Sequence, residues 1–511
     1  MSVFGQGVAR ICAVVAASGA REFRALVRVA LRETPTVELR LDWLANDRER
    51  LKVLQWLKRL PSKKAVFIAT CRRRVGGGKF PGSAAKELFW LRKAKEAGCL
   101  WCDLEVETLR QLPGKSVIGR KLPKVLLSIH DFERTPRLPR RMQVAKKAGV
   151  SAVKVAALSR KLTDIARLLR MAGRTTNLVA VPMGEIGLPA RILALREGSA
   201  LLYAPVAAAT APGQISLREM KELYRAHELT EKTSVYGVIG NPIGHSLSPL
   251  LHNTGYVAAR KDAVLVPFLV ESLDEFLKAV RDFNVAGFSV TIPHKQKIFD
   301  YLEHCDPLAE QLGAVNTVVV RPNGSLAGSN TDYVGVLRAM EGRLKIERSR
   351  ILIFGAGGAA RAAAFALAKS GADVLVCARR ETSAKQLALA VHGGALKRAA
   401  LRKEKFDAIL NTTPVGMYPH EQRSPLDAAE LNCALVMDLI YRPLHTKLLR
   451  LAAARRIQTV SGVEMFLAQG IAQWELWMKS RAPEGAMRRA VLKALHAEEK
   501  VEHKKTHLRK Q

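Results

Sequence analysis

Eight short apolar segments recur through the first 205 residues of this chain, and no other feature restricts its fold as strongly. They run Ile11–Ala16, Thr36–Leu41, Ala65–Thr70, Leu100–Glu105, Val125–His130, Ala152–Ala157, Asn177–Pro182 and Ala200–Pro205, with starts 23–35 residues apart. The intervals carry helical patterns such as Arg21–Arg32 and Thr163–Met171. Short buried strands alternating with amphipathic helices form parallel βαβ units, because a helix can make the crossover while covering the sheet. Eight such units in about 220 residues predict a (β/α)8 barrel, an α/β fold. With 511 residues in all, the chain has room for one or two further domains.

In such a barrel chemistry sits at the C-terminal ends of the strands. Glu38 and Arg40 end the second predicted strand, Arg72 follows the third, His130 ends the fifth and Lys154 lies on the sixth, with Arg191 nearby. Singly these are ordinary residues: a strand lysine snorkels to solvent, and a histidine fills a structural role. Their convergence on one rim points to a site. A lysine there among Arg40, Arg72 and Arg191 should have its charged form disfavoured by desolvation and like charge. A neutral amine attacks a ketone to make a Schiff base. The iminium is an electron sink, so a nearby histidine can take a proton from the adjacent carbon and hand it to a leaving hydroxyl. The set suggests dehydration of an anionic keto acid.

The motifs VELRLD (Val37–Asp42), IATCR (Ile68–Arg72), SIHDFERTP (Ser128–Pro136), VKVA (Val153–Ala156) and APGQ (Ala211–Gln214) resemble type I 3-dehydroquinate dehydratase over about residues 8–226. The resemblance implies that Lys154 forms the Schiff base with 3-dehydroquinate and that His130 is the general acid/base. It also implies that Glu38, Arg40, Arg72, Arg191, Thr210 and Gln214 hold the substrate's carboxylate and hydroxyls. The chain departs from the family's pattern at three positions. Gly76 stands where a glutamate four residues beyond the matching arginine orients the histidine, which implies a slower dehydratase. Ala190-Arg191 replaces the usual Ser-Arg, and Thr210 replaces a serine.

Between Glu219 and Ser234 the chain turns charged and helical, and a second βα series opens at Val235–Gly240. Strands at Val235–Ile239, Val264–Val270, Gly287–Ile292 and Val315–Val320, with helices at Leu247–Ala259 and Leu273–Phe283, predict an α/β lobe. Ile351–Phe354 then runs into Gly355-Ala356-Gly357-Gly358-Ala359-Ala360-Arg361, followed by a helix at Ala359–Lys369 and a strand at Asp373–Cys377. A glycine-rich turn alone is weak, since any tight strand-to-helix turn uses glycine. In this context it predicts a Rossmann fold whose helix N-terminus faces a pyrophosphate. Arg379 and Arg380, 24 and 25 positions after Gly355, stand where an acid would accept the ribose hydroxyls of NAD. Guanidinium groups pair with a 2′-phosphate, so NADP is the expected cofactor.

In the preceding lobe Ser246 and Ser248 offer two hydroxyls at a helix start, suited to a carboxylate. Lys295 and Asp332 form a candidate proton relay for hydride transfer, or equally a structural ion pair. Eight ordered motifs resemble shikimate dehydrogenase over about residues 234–480: GNPIGHSLSP (Gly240–Pro249), GFSVTIPHK (Gly287–Lys295), GAVNTVV (Gly313–Val319), NTDYVG (Asn330–Gly335), GAGGAARA (Gly355–Ala362), NTTPVGM (Asn411–Met417), DLIYRP (Asp438–Pro443) and GVEMFLAQ (Gly462–Gln469). The resemblance implies that Ser246, Ser248, Thr291, Asn316, Asn330 and Gln469 hold shikimate with Tyr441 near it, and that Lys295 and Asp332 are the catalytic pair. It further implies that Gly355, Ala356, Gly357, Gly358, Ala359, Thr412 and Gly462 line the NADP site, with Arg379 and Arg380 on its phosphate. The two resemblances share 3-dehydroshikimate, the product of one reaction and the substrate of the other, so consecutive steps of the shikimate pathway are expected.

The expected division is 1–228 for the barrel, 234–340 for the substrate lobe, completed by a helix at about 462–480, 345–461 for the Rossmann domain and 481–511 for a basic tail. The net charge of +36 suits anionic substrates and NADPH, although these do not account for all of it. The basic residues are dispersed, not clustered with aromatics, and no nucleic-acid motif accompanies them. No apolar run approaches the roughly 18–20 residues of a membrane span. Met1–Arg10 reaches a strand within about ten residues, without room for a leader, so a cytoplasmic protein is expected. The seven cysteines are scattered and Cys99–Cys102 is the sole CxxC, so neither a disulfide framework nor a metal site is expected.

Overall fold

Strands β1 (Ile11–Val15), β2 (Thr36–Arg40), β3 (Val66–Thr70), β4 (Trp101–Glu105), β5 (Lys124–Asp131), β6 (Ala152–Leu158), β7 (Leu178–Met183) and β8 (Leu202–Pro205) fall within two residues of the eight expected segments. The structure, a computed structural model, describes residues 3–60, 64–111, 122–133, 149–206 and 215–508. The eight strands form one sheet in the order β7-β6-β5-β4-β3-β2-β1-β8, and the ladders between neighbours are parallel. At the seam the Ala200 amide donates to the Leu178 carbonyl (2.8 Å), and the Ala180 amide donates to Ser199 Oγ (3.0 Å), so the ring nearly closes into a barrel.

The helices around it form for local reasons. Ala20–Glu33 buries Ala20, Phe23, Val27 and Ala30, spaced three, four and three residues apart, along one face, and each large side chain so buried contributes about 1.5–3 kcal/mol. Asp47–Lys58 and Ala84–Glu96 start at Asn46 and Ser83, whose side chains accept from the Glu49 and Lys86 amides, satisfying donors the helix leaves unpaired. Strand register fixes what meets inside. Arg40 pairs with Thr70 and Thr70 with Asp103, while Glu105 pairs with Ser128 and Ser128 with Lys154. Because side chains alternate between faces, these residues share the barrel's interior.

By compactness the chain divides into Met1–Val235 with Val266–Val285, and Tyr236–Leu265 with Ala286–Gln511. After the barrel come β9 (Ser234–Gly240), β10 (Ala263–Leu269), β11 (Val285–Val290), β12 (His304–Cys305), β13 (Thr317–Val320) and β14 (Leu326–Ser329), in the sheet order β10-β9-β11-β13-β14-β12. β13 runs antiparallel to both β11 and β14. A third sheet holds β15 (Arg350–Phe354), β16 (Asp373–Cys377), β17 (Gly394–Ala395), β18 (Phe406–Asn411), β19 (Cys433–Asp438) and β20 (Gln458–Val460), in the order β17-β16-β15-β18-β19-β20. All its ladders are parallel. The order reverses between β15 and β18, which opens a crevice at the carboxyl end of β15, the usual nucleotide position in a Rossmann sheet.

The helix Gly358–Lys369 packs on that sheet through Ala360, Ala363, Ala364 and Leu367, small side chains that allow close approach. Residues Glu484–Leu508 of the basic tail form a helix of 25 residues. Met487, Val491 and Leu495, four residues apart, are buried along it, so apolar periodicity organises this segment beneath its charge. Among the described residues no helix is long and apolar enough to cross a membrane.

Candidate functional site

The barrel interior carries an alternating chain of charges. Lys154 on β6 is buried and its Nζ donates to Asp103 Oδ2, with Glu38 Oε1 at 3.8 Å. The other Asp103 oxygen lies 3.5 Å from Arg72 Nη2. Arg72 Nε donates to Glu105 Oε1 at 2.7 Å, and Glu105 Oε2 is 3.0 Å from His130 Nδ1. Glu38 accepts from Thr70 Oγ1 at 2.7 Å, and Lys154 Nζ lies 4.7 Å from the centre of the Tyr203 ring. The strand register thus brings Glu38, Arg72, His130 and Lys154 together.

The two other arginines are held at its edge. Arg40 makes two hydrogen bonds to Asp42, at 2.9 and 2.8 Å. Arg191, on the helix Leu188–Leu193, donates Nη2 to the Gly184 carbonyl at 2.7 Å, while its buried Nε has no hydrogen-bond partner among the described residues. Such a donor fits an anionic group. Thr210 and Gln214 lie outside the described residues.

One expectation changes. The like-charge surroundings expected of Lys154 give way to two carboxylates, because Asp103 on β4 and Glu38 on β2 reach it first. Gly76 offers no carboxylate, as the sequence shows, yet His130 has one at hydrogen-bond distance, supplied by Glu105. Both acids of β4 escaped the sequence reading, although Asp103 and Glu105, two apart in an otherwise apolar strand, are charges on one inward face.

Burial governs the electrostatics. It would favour a neutral Arg72, but Glu105 and Asp103 outweigh it and hold the guanidinium more firmly protonated than usual. It would raise Asp103, but Lys154, Arg72 and His130 hold that carboxyl well below its ordinary range. His130 is lowered, first by burial and then by Arg72, against the opposing pull of Glu105. The imidazole is therefore neutral near pH 7 and able to accept a proton. Burial brings Arg191 down to about 10, still cationic at that pH.

In the second unit Lys295 Nζ donates to Asp332 Oδ2 at 2.6 Å. Asn316 Nδ2 donates to Asp332 Oδ1 at 2.8 Å, and the Asp332 amide donates to Asn330 Oδ1 at 2.9 Å. Asn330 is anchored in turn on the Ala314 carbonyl at 2.7 Å. Asp332 opens the helix Asp332–Met340, where a carboxylate also meets the positive end of the helix dipole. The lysine is 29% exposed and the aspartate 13%, so the pair faces outward, as a group meeting substrate must.

Gln469 Nε2 donates to the Phe466 carbonyl at 3.0 Å, and the Tyr441 ring stacks on Phe466 at 5.0 Å. The helix that carries Phe466 and Gln469, Gly462–Met478, lies close to Gly335, where a Cβ would come within 3.1 Å of Gln469 Cβ. Arg442 Nη1 donates to the His245 carbonyl at 2.7 Å, tying the segment of Tyr441 to that of Ser246 and Ser248. The Ser248 amide donates to Ser246 Oγ at 3.2 Å. The Thr291 amide donates to the Ile239 carbonyl at 2.9 Å, placing it beside β9. Among the described residues no hydrogen bond joins Ser246, Ser248, Thr291 or Tyr441 directly to the Lys295–Asp332 pair. The sequence reading missed Gln473, which donates to Ser289 Oγ, Thr317 Oγ1 and the Asn316 carbonyl at 3.0, 3.1 and 3.3 Å and so fixes the asparagine that holds Asp332.

The turn after β15 fits a dinucleotide. Gly355 has φ +128°, and a Cβ there would overlap the Thr412 hydroxyl, which donates to the Phe354 carbonyl at 2.9 Å; only glycine serves there. A Cβ on Gly357 or Gly358 would meet nothing within 4 Å, so that face is open toward a ligand. The helix Gly358–Lys369 begins with no side-chain cap on its N–H groups, next to Ala356 and Ala359, and such groups bind phosphate oxygens. Arg379 and Arg380 are exposed just past β16, and among the described residues neither is paired with a carboxylate. Gly462 starts its helix hard against the Leu439 and Ile440 backbone.

Comparison with known proteins gives three family matches: type I 3-dehydroquinase over residues 11–231, the shikimate dehydrogenase substrate binding domain over 238–318, and the shikimate 5'-dehydrogenase C-terminal domain over 462–492. The chain is 34% identical over 476 residues to the chloroplastic bifunctional 3-dehydroquinate dehydratase/shikimate dehydrogenase of Arabidopsis thaliana, covering 88% of this chain and 78% of that protein. It is 43% identical over 255 residues to the shikimate dehydrogenase (NADP(+)) of Bacillus cereus strain 03BB102, covering 48% of this chain and 92% of that one.

Proposed function

Because the chain belongs to the family of bifunctional 3-dehydroquinate dehydratase/shikimate dehydrogenases, we propose that Lys154 and His130 carry out the dehydration and that Lys295 and Asp332 serve the reduction. The enzyme converts 3-dehydroquinate to 3-dehydroshikimate and then to shikimate, two consecutive steps of the shikimate pathway, with NADP as the cofactor.

In the barrel, Lys154 Nζ gives up a proton and adds to the substrate ketone, and the carbinolamine hydroxyl leaves with that proton as water, which leaves an iminium. His130 takes a proton from the adjacent carbon. The electron pair moves into the iminium, returns as the new double bond, and expels the hydroxyl, which leaves as water with the proton from His130. Hydrolysis consumes one water and frees Lys154, so one water is lost overall. Arg191, whose Nε has no hydrogen-bond partner among the described residues, receives the substrate carboxylate with Arg40, and Glu38, Arg72, Thr210 and Gln214 contact its other oxygens. The observation that carries this reading is the charge chain that holds Lys154 and His130 on neighbouring strands. Borohydride reduction in the presence of 3-dehydroshikimate tests it: mass spectrometry should find the adduct on Lys154, and an adduct elsewhere or none would refute it.

In the second unit NADPH, when bound, supplies the hydride. Lys295 gives a proton to the developing alkoxide oxygen, and Asp332, steadied by Asn316 and Asn330, keeps the ammonium aimed. Ser246 and Ser248 hold the substrate carboxylate, while Thr291, Asn316, Asn330, Tyr441 and Gln469 surround its hydroxyls. Gly355, Ala356, Gly357, Gly358, Ala359, Thr412 and Gly462 shape the cofactor's bed, and Arg379 and Arg380 hold its 2′-phosphate. A hydrogen bond to a charged group contributes about 1.5–3 kcal/mol. The double variant Arg379→Ala/Arg380→Ala should therefore lower the ratio of kcat/KM for NADPH to that for NADH by roughly tenfold or more. An unchanged ratio would remove both arginines from the phosphate site.

The working division is the barrel at 1–228, a substrate lobe at 234–340 completed by the helix near 462–480, a Rossmann domain at 345–461 and a basic C-terminal segment at 481–511.

A further inference from the structure

One carboxylate holds the barrel's histidine, and its two oxygens are divided between two partners. Glu105 Oε2 lies 3.0 Å from His130 Nδ1, and Glu105 Oε1 accepts from Arg72 Nε at 2.7 Å. All three side chains are buried, with 9% or less of each exposed. Glu105 is the last residue of β4 and pairs in register with Ser128 on β5, two residues before His130. Its backbone is therefore fixed by a ladder, and its second oxygen by a guanidinium that Asp103 also restrains.

We propose that Glu105 is the residue that positions His130 for proton transfer. Its Oε2 receives the Nδ1–H, which selects the tautomer whose Nε2 is free to take a proton from substrate. It also stabilises the imidazolium that forms once that proton has moved. The proposal rests on the reading of Lys154 as the Schiff-base residue and His130 as the proton carrier. Gly76 supports it independently: a Cβ there would lie 3.2 Å from Glu105 Cγ and 3.5 Å from Arg72 Cγ. A side chain at position 76 would press on Glu105 and Arg72, so glycine there leaves the Arg72–Glu105–His130 contacts undisturbed. The absence of a glutamate at 76 therefore does not leave the histidine without an orienting acid. A strand residue held at both oxygens is a firmer support than one on a loop.

The charged groups facing His130 are Arg72 and Lys154, which oppose its protonation, and Glu105 and Asp103, which favour it. Replacing Glu105 by glutamine removes the favourable charge and keeps the shape. In Glu105→Gln, kcat for dehydration should fall about thirtyfold or more, with most of the loss in kcat and little in KM. The acidic limb of the kcat profile should move to lower pH, because the imidazolium has lost its anionic partner. Borohydride should still trap the adduct on Lys154, since Schiff-base formation does not use Glu105. A kcat within threefold of the parent enzyme's, or an unmoved acidic limb, would overturn the proposal. Failure of the underlying reading looks different: the parent enzyme itself would give no adduct.

If the glutamine variant gives no adduct its barrel has not assembled, and Glu105→Asp decides. That variant keeps the charge beside Arg72 but withdraws it from His130 by one methylene, so kcat should fall about fivefold or more with the adduct retained. Full activity in the aspartate variant would overturn the proposal.

Discussion

Lys154→Met is expected to lower dehydration of 3-dehydroquinate at least about a thousandfold and to abolish the borohydride adduct. Methionine keeps most of the buried stem's volume, so the loss reports the amine and not a cavity. The substitution also removes the hydrogen-bonded cation from Asp103, leaving Arg72 at 3.5 Å, and removing one partner of a buried pair costs about 3–5 kcal/mol. Unfolding must therefore be measured alongside activity, and its pH dependence has a definite sign. Asp103 is depressed in the folded protein, against burial, by Lys154 first and then Arg72 and His130. Its contribution to stability is complete above the ordinary carboxylate range and is lost as pH falls through the folded value. Without Lys154 that folded value rises, so acid unfolding of the barrel should begin at higher pH. Dehydration within tenfold of the parent enzyme's would remove Lys154 from the chemistry.

Lys295→Ala and Asp332→Asn should each lower reduction of 3-dehydroshikimate by about a hundredfold to ten-thousandfold while leaving dehydration untouched. The two effects differ in origin. Lysine loss removes the proton donor, whereas the asparagine variant removes the charge that aims it and disturbs the bond from Asn316 to Oδ1. Removing both together should cost little more than the worse single change, because groups that act as one unit are not additive. Near-normal reduction in both single variants would make the 2.6 Å pair a structural ion pair and refute the relay.

The barrel was legible in the sequence because its strands are buried on both faces and so read as continuous apolar runs. Thr36–Arg40 and Asp373–Cys377 emerge almost residue for residue. Boundaries failed where backbone conformation decides: Asn177 was read as strand, but its φ of +59° makes it a turn residue. The short strands β12 and β14, two and four residues long, carry too few side chains for any periodicity to register. Among the candidate site residues, those carried by distinctive motifs, such as Lys154, His130, Lys295 and Asp332, could be named from the sequence, and the structure pairs Lys295 with Asp332 and puts Lys154 and His130 on neighbouring strands. Asp103, Glu105 and Gln473 could not be so named, since their importance lies in which strand or helix stands next to theirs. Gly76 is a similar case: the sequence reveals a missing glutamate but not that β4 brings Glu105 to the same imidazole.

The central claim is that one chain holds two working sites in series, and NADPH oxidation with 3-dehydroquinate as the only added substrate tests it most directly. 3-Dehydroquinate must first lose water in the barrel before the second site has anything to reduce. The account predicts NADPH consumption after a lag that shortens with 3-dehydroshikimate, and its loss in Lys154→Met with 3-dehydroquinate alone. NADPH consumption with 3-dehydroshikimate but none with 3-dehydroquinate would contradict it.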